Sequence, residues 1–254
     1  MLFPPHLEYL KDSNFTWFNP CWGYLGFWER IKEFQKEKGV DFSTAWFHRD
    51  MKKNKELYVT ALAALCMQQD VPEAEGWWFS KPSHDPPDGI IGTPRKDSVT
   101  GGNLMNVREV EIVEHLGGSI IETIDRKLNK KLYEPNTVLV CLLSPGKMET
   151  FDFQEISKEM SLVRYPIAHV FVVFHGFLVS SGTRNLSDAE LMKEMSKIAF
   201  IQLLPKYGVV SISPNDCCVE FVRGTESAWL RFMSRGKNPG FKKVTAESAP
   251  KLFD

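Results

Sequence analysis

The chain has 254 residues, 43% of them hydrophobic and 25% charged, with a formal net charge of −1. That length holds one large domain or two small ones, and the composition excludes a disordered or fibrous chain. Near-neutral charge excludes a global basic field, so any polyanion site has to be local.

In chain order, the first seventy residues read as helical. Apolar residues at 24, 25, 27, 28, 31 and 34 mark an amphipathic helix over Trp22–Lys38, closed by Gly39. A second helix is expected across Phe42–Lys52. A third, "NKELYVTALAALCMQQD", is expected over Asn54–Gln69 with Asn54 as its N-cap. Trp17, Trp22, Trp28 and Trp46 crowd this part, with Phe15, Phe18, Phe27, Phe34, Phe42 and Phe47. An aromatic helical core explains them better than base stacking does.

The pattern then changes. "GWWFS" (76–80) and "DGII" (88–91) are short strand candidates, and Thr93–Asn106 reads as a turn or loop rich in Pro, Gly, Ser and Asn. "VREVEIVE" (107–114) alternates as a half-buried strand does. Ser119 caps a helix over "IIETIDRKLNKKLY", and "TVLVCLL" (137–143) has the continuous apolarity of a strand covered on both faces. A helix near Phe153–Met160, a strand at "HVFVVF", a helix over 187–203, strands at "VVSIS" and "CVEFV", and a short helix over "ESAWLRFM" follow. The fold class is α/β, a mixed sheet flanked by helices. Its organisation is a helical, aromatic-rich N-terminal extension (1–53), an α/β domain (54–222), and a short helix with a basic tail (223–254).

The five cysteines form no CxxC pair, and their odd number favours a reducing compartment such as the cytoplasm. The N-terminus lacks the pattern of a secretory signal, and no apolar run is long enough to span a bilayer. No GxSxG, Walker A, GxGxxG or HExxH motif occurs.

Acidic residues carry the chemistry. Strand alternation sets Val107, Glu109, Glu111, Val113 and His115 on one face, and Arg108, Val110, Ile112 and Glu114 on the other. Glu109 and Glu111 therefore point the same way, roughly 7 Å apart. Like charges so placed are either solvated, as an acidic strand face, or bridged by a hard cation. With Asp88 at the end of a neighbouring strand, the second arrangement suits Mg²⁺ or Mn²⁺. His84 and His115 flank the acids as surface histidines or proton carriers. Arg95 and Lys96, the cluster Arg126, Lys127, Lys130 and Lys131, and Lys237, Lys242 and Lys243 near the C-terminus are the groups available to phosphates. A solvated helix face explains the middle cluster equally well.

"PPDG" followed by "VEIVE", between a long helix and a basic helix with a buried strand beyond, resembles the PD-(D/E)xK nuclease superfamily. The resemblance covers about Asn54–Ser144 and implies a restriction-endonuclease-like core of helix, three strands, helix, strand. It implies Asp88 as a metal ligand, with Glu109-Val110-Glu111 as an "ExE" second element. A second register, Glu111-Ile112-Val113, puts valine where the family has lysine. Glu56 matches the acid that the first helix often adds. The lysine is absent from both registers, which leaves the ExE form, a lysine supplied by Lys127 or Lys131 on the next helix, or an inactive fold. The activity implied is Mg²⁺- or Mn²⁺-dependent hydrolysis of DNA phosphodiester bonds by Asp88, Glu109 and Glu111, by a homodimer if both strands are cut. The alternative is a catalytically inactive nucleic-acid-binding or assembly module.

Overall fold

A computed structural model describes residues 16–70, 76–82, 87–96, 103–144, 150–167, 169–175, 197–212, 229–233 and 240–244. Strand β1 (Thr16–Phe18) precedes helix α1 (Pro20–Lys38), α2 (Phe42–Phe47), a 3-10 turn (Arg49–Met51) and α3 (Lys52–Asp70). Then come β2 (Trp78–Ser80), β3 (Gly89–Lys96), β4 (Asn103–His115), α4 (Ile120–Leu128), β5 (Val138–Leu143), α5 (Phe153–Ser161), β6 (His169–His175), β7 (Ile198–Leu204), β8 (Gly208–Ile212), β9 (Trp229–Met233) and β10 (Gly240–Val244). The protein is α/β with a mixed sheet, as composition and periodicity indicate. Among the described residues no helix is long and apolar enough to cross a membrane.

The chain divides into two compact units, Met1–Glu109 with Cys218–Asp254, and Val110–Cys217. β4 carries the chain from the first into the second. In the first unit the strands run in the order β10-β9-β1-β2-β3, and each of these neighbours is antiparallel. Asn19 caps α1 by accepting from the Cys21 amide at 2.9 Å, and Pro20 follows with its φ already helical. Gly39 ends α1 at φ 65°, where its lack of a Cβ makes the left-handed conformation cheap. The aromatic residues are core. Phe27 stacks on Tyr58 with centroids 4.3 Å apart, and Trp46 meets Phe27 edge-on at 5.7 Å. Burial of Tyr58 pushes its hydroxyl well above the ordinary tyrosine range, so it stays neutral.

In the second unit β4-β5-β6 are parallel neighbours, and β6-β7-β8 continue antiparallel. Ile120, Ile124 and Leu128 of α4 and Phe153 and Met160 of α5 pack on Leu139, Cys141, Val170, Val172, Ile201 and Leu203. These residues make one apolar layer between two helices and the sheet. The Cys141 thiol is pushed up to about 12 by burial and is chemically inert.

Several elements differ from the sequence reading. The N-terminal part is not purely helical, because β1 pairs with β2 and β9. Asn54 lies inside α3, where its Nδ2 donates to Met51 Sδ at 3.6 Å, and does not cap it. Thr93–Lys96 and Asn103–Asn106 are strand, extending β3 and β4 into the expected loop. Ile198–Leu204 is a strand where a helix over 187–203 was expected, and Trp229–Met233 is a strand where the last helix was expected. Both runs are apolar enough to read either way, and pairing with β6 and with β1 decides them. The expected strand at 218–222 lies outside the described residues.

Candidate functional site

β4 is the strand on which the acidic residues fall. Its register with β5 pairs Glu111 with Leu139 and Val113 with Cys141. Leu139 and Cys141 belong to the layer beneath α4, so Glu111 points to the α4 side of the sheet. The other face of β4 carries Val110, which is fully buried. The Glu111 face was expected to be open to solvent or to a pocket. It is covered, and Glu111 is only 2% exposed.

An ionised carboxylate at that depth is tolerated only with charged partners. Lys127 Nζ stands 2.8 Å from Glu111 Oε2, and Lys131 Nζ stands 2.5 Å from Oε1. The local fold explains why lysine does this. Ser119 caps α4 by accepting from the Glu122 amide, and the helix then runs back along β4. His115 Nδ1 meets Thr123 Oγ1 at 3.1 Å, which fixes one point of contact between strand and helix. Four residues along the strand advance roughly 13 Å. Four along the helix advance roughly 6 Å. From the His115–Thr123 contact to the Glu111–Lys127 contact, the helix therefore falls short of the strand. A long side chain closes the gap.

α4 ends at Leu128, so Lys131 lies beyond the helix on which it was expected. Tyr133 binds this segment: its hydroxyl donates to the Lys127 carbonyl at 3.0 Å, and its ring lies 4.9 Å from Lys131 Nζ. One carboxylate thus faces two ammonium groups. Tyr133 was not singled out in the sequence, although an aromatic residue just past a basic run is the available signal.

Glu56 is also buried, on α3, and carries ion pairs to Lys52 at 3.6 Å and Lys53 at 3.0 Å. Asp88 is half-buried at the start of β3. The next residue, Gly89, packs so closely on α3 that a Cβ there would collide with the Thr60 side chain. Thr60 in turn donates to the Glu56 carbonyl at 2.7 Å. Glu109 is half-buried, and alternation gives it the same side of β4 as Glu111. Arg108 lies over the Trp77 ring at 5.7 Å, where burial lowers its pKa. Asp88, Glu109 and Glu56 belong to the first unit, and Glu111, Lys127 and Lys131 to the second.

Among the described residues no group of three or more His, Cys, Asp or Glu side chains is placed to hold a metal ion. The hard carboxylate oxygens of Glu111 fit Mg²⁺ or Mn²⁺ by chemistry. Such ions are commonly held by one or two carboxylates together with substrate phosphate, rather than in a protein cage. Arg95 and Lys96 lie on β3 and Lys242 and Lys243 on β10, their side chains outside the described set, and Lys237 and His84 lie outside it altogether. His115 is buried against Phe151 and Thr123, which makes it part of the packing and not a surface histidine.

Comparison with protein-family models, curated proteins and solved structures finds no match to this chain.

Proposed function

We propose that the protein is a divalent-metal-dependent nuclease with a restriction-endonuclease-like core, and that Lys127 and Lys131 supply the lysine missing from its second motif. The pairing of Glu111 with both lysines carries this reading. The order α3, β2-β3-β4, α4, β5 supports it as well. Glu111 then belongs to the register without ExE, and a role for Asp88 rests on the PD resemblance alone.

In this reading Lys127, with a side chain 17% exposed, fixes the Glu111 carboxylate in one orientation. Lys131, at 33%, reaches solvent more readily and turns to a non-bridging oxygen of the scissile phosphate. Glu111 orients the attacking water or holds the ion. A divalent ion bound with the phosphate would lower the pKa of that water and screen the phosphate's charge. The exposed Arg126 in the last turn of α4 and Lys130 just beyond it extend the positive surface for backbone contacts. Cutting both strands of a duplex calls for two such centres, hence a homodimer.

Supercoiled plasmid is expected to be nicked or linearised with Mn²⁺ or Mg²⁺ and left intact in EDTA. Lys127→Met with Lys131→Met should lower the rate by about 100-fold or more, the scale of losing a charged stabiliser of the reacting phosphate. The same pair should also flatten the salt dependence of duplex binding. No nicking of DNA at any metal concentration, with RNA cut instead, would transfer the reading to a ribonuclease.

A second reading is favoured by the geometry of Glu111 itself. Both its oxygens face ammonium groups, and no three-acid group occurs among the described residues. These features suit an inactive nucleic-acid-binding or assembly module on the same core. Binding of DNA without cleavage by the wild-type protein would establish that alternative.

A further inference from the structure

We infer that Tyr133 is a positioning residue for both lysines, an inference that rests on the nuclease reading of the Glu111 centre. Two contacts, made by different parts of one side chain, carry it. The hydroxyl donates to the Lys127 carbonyl at 3.0 Å. That carbonyl lies in the last turn of α4, where it also accepts a long bond from the Lys130 amide at 3.3 Å, and the tyrosine hydroxyl is a second, shorter donor to it. The bond therefore secures the backbone from which Lys127 reaches Glu111. The ring lies 4.9 Å from Lys131 Nζ, within the range in which an ammonium is drawn to an aromatic face.

Lys131 needs this second anchor. It sits beyond the end of α4, so no helical hydrogen bond fixes its backbone as one fixes that of Lys127. A free lysine of its exposure would sample many rotamers, and holding one costs entropy. The ring narrows that choice while leaving the ammonium able to exchange Glu111 for a phosphate oxygen. Tyr133 thus links the fixed lysine and the exchanging one.

The test uses the full chain in two parts. In a proton–nitrogen correlation spectrum of the lysine ammonium groups, the Lys131 signal, assigned by its loss in Lys131→Arg, should be shifted upfield by the ring. The shift should persist in Tyr133→Phe and vanish in Tyr133→Leu. In plasmid nicking with MnCl₂, Tyr133→Leu should lower kcat roughly two- to thirtyfold, the range of a cation–π contact, with KM nearly unchanged. Tyr133→Phe should lose less. A Lys131 signal unshifted in the wild type, or equally shifted in Tyr133→Leu, overturns the inference, as does Tyr133→Leu with wild-type kcat. Should Tyr133→Leu not fold, the wild-type shift and the kcat of Tyr133→Phe still decide: no upfield shift, or a kcat loss as large as that of the lysine double variant, overturns it. If the wild type cuts nothing, the nuclease reading fails, and the spectrum alone decides whether the ring holds Lys131.

Discussion

Glu111→Gln should lower the stability of the fold by about 2–3 kcal/mol, at or just below the low end of the range for breaking a buried ion pair. The carboxylate is 2% exposed and is paired with two ammonium groups. Removing its charge leaves Lys127 and Lys131 repelling one another beside a neutral amide. The cost falls below the upper end of that range because both lysines retain a path to water, with side chains 17% and 33% exposed. At this chain length the loss corresponds to a drop in Tm of about 4–12 °C. Lys131→Met should cost less, since Lys127 still partners the carboxylate. Thermal or urea unfolding of the two variants checks the order. A Glu111→Gln protein as stable as the wild type would mean that the two ion pairs add nothing to the fold.

Gly89→Val should be among the most damaging single substitutions in the first unit, costing about 3 kcal/mol or more through overpacking of β3 on α3. Even alanine places a Cβ on the Thr60 side chain. Thr60 is fully buried and bonded to the Glu56 carbonyl, so it has no room to withdraw. Gly89→Ala should accordingly cost less in a Thr60→Ala background than alone, a coupling that a double-mutant cycle measures in urea. Additive costs would place the strain elsewhere. Because Asp88 directly precedes Gly89, the same substitutions should impair any function of Asp88 without touching its carboxylate.

How far the sequence disclosed these features depends on the range of the interactions behind them. Helix α1 was legible because the 24–34 apolar pattern and Gly39 are local signals, although its start was read at Trp22 and lies at Pro20. β4 and β5 were legible from alternation and from continuous apolarity. Ile198–Leu204 was not, because an apolar run preceded by Ser187-Asp188 suits a helix until pairing with β6 is known. The limits of the loop after Ile91 failed for a related reason. Thr93–Lys96 and Asn103–Asn106 become strand through partners, against their own composition. Alternation set Glu109 and Glu111 on one side of β4, yet it could not say that α4 would cover that side. The choice between an acidic pair and a Glu–Lys centre lay in how α4 runs along β4, fixed by the contact between His115 and Thr123. Lys127 and Lys131 stood among the alternatives by proximity in sequence, and only their distances to Glu111 distinguish them from an ordinary basic helix face.

The most direct measurement is a single-turnover assay in which wild type and Glu111→Gln, each in excess over a labelled DNA duplex, are mixed with MnCl₂. Bound and cleaved DNA are then counted in the same samples. The nuclease account expects the wild type to cleave. It expects Glu111→Gln to bind the duplex at least as tightly, because two lysines are released toward phosphate, while cleaving about 100-fold more slowly or not at all. Equal cleavage by the two proteins, or binding without cleavage by both, would contradict it.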